Sequence, residues 1–363
     1  CSSDLSMDGK VKPLDLGSDM SKYYVSFSTM KTFFEKHEHQ DYKDLILTLS
    51  EAQEFEKFRS RLEERKLLSM LNTQIRYPLT GAISTSSKKA YVLVQSALGN
   101  LSFDDWELKR QTADILNTSW RILHCFKRFY SIRKLGKGLS NCIKLIKFIS
   151  MRTWGDNKLT ILKQLPGIGD KFASSLCQAG LDNFDKLLQT PPNAIEKACN
   201  KNAPFGVQLQ KKILMIPRVS LELESFQNLE IKLKVQLYTP KCYVVSNQGY
   251  EERSNYYLLV KDKINRIIFS RYLQIDQELK GGLFFTVKNS SNASFPVEAV
   301  LINEKYVGID CKLCIYQDGT ILSFDKESVE ESPFKNQQSN GKQKSEKCEH
   351  SKILSIIKFI SRM

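Results

Sequence analysis

Six hydrogen-bonding side chains recur between residues 110 and 128 at steps of 4, 3, 4, 3 and 4: Arg110, Asp114, Asn117, Arg121, His124 and Arg128. On a helix that rhythm places all six on one face, a stripe about 27 Å long at 1.5 Å per residue. Guanidinium groups suit phosphate oxygens, and Trp120, next to Arg121, offers a ring on which a base can stack. The chemistry implied is grip on a polynucleotide strand. A plain solvent-facing side fits the same spacing equally well.

A second candidate is Leu165-Pro166-Gly167-Ile168-Gly169-Asp170, set between helical patterns at Lys158–Gln164 and Lys171–Ala179. Gly167 and Gly169 permit a tight turn that comes close to a phosphate. The N–H groups opening the second helix form an anion site, to which Lys171 adds charge. A short turn of this kind can also be purely structural. The pattern predicts a helix-hairpin-helix.

Catalytic signals are missing. No GxxxxGK[ST] phosphate loop occurs; Gly136-Lys137-Gly138 is nearest and lacks the spacing. Cys311 and Cys314 form a CxxC with no second pair nearby, and His37, His39, His124 and His350 lack ligand spacing. No carboxylates cluster as a two-metal nuclease site requires. No catalytic or metal-binding residue is expected.

The elements that must hold these groups come from a 363-residue chain with 54 Lys+Arg against 40 Asp+Glu. Between Arg121 and Leu165 lie 11 basic residues and one acid, so this stretch carries +10 of the net +14. Aromatics interleave with the charges, which favours nucleic acid over a bare basic face. No run of 18 apolar residues exists to span a bilayer, and no membrane partner is expected. Nine scattered cysteines read as reduced thiols. The first residue is Cys, so a fragment of something longer is expected.

The periodicities predict a multidomain α plus β chain. Residues 1–34 read as a polar linker and the end of a preceding, winged-helix-like domain, turning helical after Ser28. Residues 35–156 read as a helical bundle. Within it, Ser86 or Ser87 caps one helix, and a central helix runs from Asp104 to about Tyr130. A further helix follows Gly136 and Gly138, with Lys137, Lys144 and Lys147 on its cationic side. Residues 157–217 carry the hairpin. From 218 to 324 the period switches to two, with six or seven short strands predicting an immunoglobulin-like β-sandwich. Residues 325–363 are polar and expected to be disordered; there Ile357–Ser361 repeats the IKFIS of Ile146–Ser150.

This order resembles the Sec-sixty-three-type C-terminal region of the Ski-like superfamily-two helicases. LGSDMSKYYVSFSTMKTFF (Leu16–Phe34), DDWELKRQTADILNTSWRI (Asp104–Ile122) and LKQLPGIGDKFASSLCQAGL (Leu162–Leu181) narrow it to the branch of meiotic crossover helicases. The resemblance implies a nuclear, ATP-dependent, 3′-to-5′ DNA helicase of meiotic recombination, of which this chain is the strand-guiding part. Asp104–Tyr130 would then be the ratchet helix, with Arg110, Asn117, Arg121, His124 and Arg128 toward the strand and Trp120 against a base. Gly167, Gly169 and Lys171 would grip the exiting strand. ATP and magnesium would belong to motor domains outside this chain, and single-stranded or branched DNA and those domains would be its partners. The alternative is an interaction scaffold of the spliceosomal or translocation type, with a protein partner on the sandwich.

Overall fold

The computed structural model describes residues 3–5, 11–13, 15–38, 40–156, 158–216, 218–227, 230–237, 254–275, 282–288 and 294–324. The expected tail, with its second IKFIS, lies outside them.

A small antiparallel pair, β1 (Ser3–Leu5) and β2 (Val11–Pro13), leads into α1 (Asp15–Tyr23) and α2 (Phe27–Lys36). Much of the stretch expected to be linker is therefore helical. Asp15 sits in the first turn of α1, where its charge suits the helix dipole, and Met20 is buried in the helical core. The helix is stabilised by a partner about a hundred residues away, which local composition does not reveal. The next helix starts at Phe27, because the Ser26 side chain accepts from the Thr29 N–H.

The bundle continues through α3 (Tyr42–Ser50), α4 (Arg65–Gln74), α5 (Ser86–Leu98), α6 (Trp106–Ile132) and α7 (Gly136–Met151). Thr85 caps α5 in place of the expected Ser86 or Ser87, accepting from the Lys88 N–H. Asp105 caps α6 through the Leu108 N–H. Ile115, Leu123 and Phe126 of α6 are buried, and Phe126 stacks on Phe33 of α2 at 3.6 Å between ring centroids.

Gly136 and Gly138 lie inside α7 instead of preceding it. A Cβ on Gly138 would stand 2.4 Å from the Tyr130 ring, and one on Gly136 would stand 2.8 Å from the Asn265 carbonyl. Close packing, not chain reversal, explains these glycines.

Five shorter helices follow: α8 (Lys158–Lys163), α9 (Asp170–Gln178), α10 (Phe184–Gln189), α11 (Pro192–Cys199) and α12 (Phe205–Leu214). Eight further strands are described. Three form a sheet in the order β3 (Val219–Gln227), β4 (Glu230–Leu237), β7 (Leu283–Lys288). Five form the other, ordered β10 (Ile321–Phe324), β9 (Cys311–Ile315), β8 (Val297–Asn303), β5 (Ser254–Lys261), β6 (Ile267–Ile275). All pairings are antiparallel. In β4 the alternation is direct: Ile231, Leu233 and Val235 point inward between half-buried or exposed neighbours.

Two apolar cores divide the fold. One covers Met20 to Trp154 and takes in Leu259, Val300 and Ile302 from the five-stranded sheet. The other begins at Leu162 and joins the small helices to both sheets.

Polar clamps fix the junction. Lys147 of α7, expected on that helix's cationic side, is almost wholly buried. Its Nζ donates to both oxygens of Asp310 at 3.0 and 2.8 Å and to the Tyr306 carbonyl at 3.2 Å. Gln164 makes two hydrogen bonds with the Val307 backbone.

Candidate nucleic-acid interface

The stripe on α6 exists and divides into two unlike halves. Toward its start, Arg110, Asp114, Asn117 and Trp120 are exposed. Arg110 grips Glu107 with two hydrogen bonds of 3.0 and 2.7 Å, and Asp114 stands 3.9 Å from its other nitrogen. Those bonds, with one from Gln111, hold the Glu107 carboxyl down at about 2. Such solvent-exposed pairs are weakly held and can exchange for phosphate.

Toward its end the stripe packs against α1, although Arg128 itself remains exposed. Arg121 donates to the Tyr23 carbonyl at 3.3 Å. Arg128 bridges Asp15 at 2.8 Å and Asp19 at 3.2 Å. His124 stacks on the Tyr23 ring at 5.0 Å and lies 4.2 Å from Trp120 between ring centroids. Its Nε2 is buried without a hydrogen-bond partner among the described residues. Burial first, then Lys127 and Lys22, holds its pKa down at about 3. The structure thus brings Arg121, His124 and Arg128 together with α1, and leaves Arg110, Asn117 and Trp120 open.

Two further residues belong to this surface. Trp106, at the first position of α6, is 74% exposed. It lies four residues before Arg110 and so shares the face of the stripe. Arg61 reaches Glu107 at 3.8 Å. The spacing rule already contained Trp106 as one more step of four; Arg61 had no local signal.

The turn between α8 and α9 carries the two glycines. Gly167 holds φ +87°, where side chains are strained, and Gly169 caps α9. Ile168 is buried while Gly167, Gly169 and Lys171 are exposed. A Cβ on Gly169 would meet nothing within 4 Å, so the approach is open. Lys212 of α12 donates to the Pro166 carbonyl at 2.7 Å, bringing to the hairpin a cation from 45 residues beyond Gly167. No local pattern marks that placement.

Nucleotide chemistry finds no seat at the nearest glycine-lysine-glycine. The Gly138 N–H donates to the Gln40 side chain and Lys137 pairs with Asp41 at 2.7 Å. Among the described residues no His, Cys, Asp or Glu group is arranged for a metal, and no helix is long and apolar enough to cross a membrane.

Comparison with known proteins matches residues 13–315 to the Sec63 Brl domain. The chain belongs to that family. Among its relatives, "Probable ATP-dependent DNA helicase HFM1" of Homo sapiens is 27% identical over 312 residues, covering 82% of this chain and 22% of that protein. "ATP-dependent DNA helicase MER3" of Saccharomyces cerevisiae is 25% identical over 246 residues, covering 62% and 21%. "Activating signal cointegrator 1 complex subunit 3" of Gallus gallus is 24% identical over 269 residues, covering 73% and 12%. The chain spans about a fifth or less of the length of these relatives. The resemblance read from Leu16–Phe34, Asp104–Ile122 and Leu162–Leu181 agrees with the first two of these matches, both named as ATP-dependent DNA helicases.

Proposed function

We propose that this Sec63 Brl chain guides a DNA strand within a 3′-to-5′, ATP-dependent helicase of meiotic recombination, acting in the nucleus. The observation that carries the reading is the open half of the α6 stripe, where Arg110, Asn117 and Trp120 share an exposed face of one long helix. Trp120 supplies a stacking ring and Arg110 a guanidinium that can trade Glu107 for a phosphate. Gly167, Gly169 and Lys171 form a second contact, on our reading of α8 and α9 as a helix-hairpin-helix. The two sheets, read as an immunoglobulin-like sandwich, brace this assembly. ATP and magnesium belong to the motor domains, the chain's expected partners together with single-stranded or branched DNA.

Arg121→Ala or Arg128→Ala would also disturb α1, so the cleaner test is Arg110→Ala with Trp120→Ala. Loss of one stack and one phosphate contact should weaken single-strand binding at least tenfold, since a stacked base contributes about 1–3 kcal/mol. The slope of log affinity against log salt should flatten by about 0.7. Unchanged affinity and slope in fluorescence anisotropy would overturn the reading.

One observation favours an interaction scaffold instead: Arg121, His124 and Arg128 are engaged by α1. Binding of a protein partner by the full chain, with no DNA affinity, would support that alternative.

A further inference from the structure

Away from the α6 stripe, the junction of the bundle, the small helices and the sheets holds two open cavities of about 270 and 380 Å³. They share Asn100, Thr153, Thr160 and Lys163, so they form one trough. Its walls are the end of α5, the α7–α8 connection, α8 itself and the loop between β8 and β9.

These walls are fixed by bonds distant in sequence. The Trp154 N–H donates to the Leu98 carbonyl at 2.9 Å, tying the α7–α8 connection to α5. Lys147 and Gln164 hold the β8–β9 loop through Asp310, Tyr306 and Val307. A trough anchored on every side is organised before a ligand arrives, which lowers the entropy cost of binding.

The lining is cationic along its length. Arg76 lies in the first cavity, Lys163 in both, and Arg152 and Lys305 in the second; Asp170 is the one carboxylate lining it. Arg76 stacks over Trp154 at 4.1 Å and pairs with Asp156 at 2.6 Å. Lys163 pairs with Asp170 at 2.5 Å. Arg152 is different. It ends α7 in a left-handed conformation (φ +52°), is exposed, and has no ion-pair partner among the described residues. Half-buried Tyr306 borders the second cavity, whereas Trp154, beside the first, is buried beneath Arg76.

Cations spread along an open trough, with the Tyr306 ring in one section, suit the phosphates and bases of a strand better than one compact anion. Lys163 and Asp170 also flank the turn that carries Gly167 and Gly169, so the trough runs up to the hairpin. We propose that it is a second seat for a single nucleic-acid strand, with Arg152 and Lys305 as phosphate contacts. The proposal rests on the strand-guiding reading above and adds a site that the stripe and the hairpin do not contain.

The test is Arg152→Ala with Lys305→Ala in the full chain, titrated against fluorescein-labelled oligothymidine over a salt series. Affinity should fall at least fivefold, and the salt slope should lose about 1.4, or about 0.7 for each contact. Oligothymidine carrying 4-thiothymidine should crosslink near Tyr306 or Met151 in the parent chain. Arg65→Ala with Lys66→Ala, on exposed α4 positions outside the trough, controls for general charge loss. If the trough variant binds like the parent while Arg110→Ala with Trp120→Ala binds weakly, the trough is overturned and the stripe stands. If neither pair matters, or the parent does not bind, both readings fall. Tripolyphosphate binding that needs Arg152 but is not displaced by oligothymidine would make this a free-phosphate pocket and overturn the strand assignment.

Discussion

Acidification should act on this fold first through His124. Its imidazole is enclosed by Tyr23 and Trp120, its Nε2 is buried without a partner, and burial with two nearby lysines holds its pKa at about 3. The unfolded chain takes up this proton near the ordinary value of 6.5, whereas the folded chain resists it until about 3. His124 therefore leaves stability intact above about pH 7 and subtracts from it as pH falls through 6.5. At pH 5, one and a half units below the unfolded value, the loss is about 2 kcal/mol. Glu107 and Asp182, whose pKa values are lowered by Arg110 and by Lys186, lose their contributions only in more acidic solution. Urea unfolding at pH 7.5 and pH 5.0 should show the parent losing about 2 kcal/mol more than His124→Phe, which keeps a ring but cannot titrate. Equal losses in the two proteins, or a proton NMR titration of His124 with a midpoint above 6, would refute this account of the α1 contact.

Two other perturbations probe the frame. Lys147→Met should cost about 3 kcal/mol, because it takes from the largely enclosed Asp310 carboxylate the cation that both its oxygens meet; thermal melting and faster proteolysis in the 304–310 loop would report the loss. Gly138→Ala should cost about 1–3 kcal/mol, because its Cβ would drive into the Tyr130 ring. A melting temperature unchanged from the parent would show that α6 and α7 are free to separate.

Much of the architecture was legible because it depends on short-range rules. The 4-3-4-3-4 spacing put six groups on one face of α6, and that face is present. Gly167 and Gly169 predicted a tight turn; Gly167 takes φ +87° there, and the structure adds that Ile168 is buried. The switch to a period of two after residue 218 became two antiparallel sheets. The misplacements share one cause. The segment taken for a linker is helical at Asp15–Tyr23 because α6 receives it, and Gly136 and Gly138 serve packing because Asn265 and Tyr130 crowd them.

Charge divides most sharply between sequence and structure. The order of residues already places +10 between Arg121 and Leu165 and six polar groups on one helical face, and it holds no phosphate loop. These follow from residue identity and helical period alone. Which of those cations remain available depends on contacts between distant parts of the chain. Lys127 meets Glu304, Arg128 meets Asp15 and Asp19, Lys137 meets Asp41, Lys147 meets Asp310, and Lys158 meets Asp182. Of these, Arg128, Lys137 and Lys158 sit in solvent-exposed pairs like that of Arg110, Lys147 sits in a buried one, and Arg152 has no ion pair among the described residues. A charge's worth depends on its distance to the nearest opposite charge and on the water around it, and folding sets both by bringing together residues far apart in the chain.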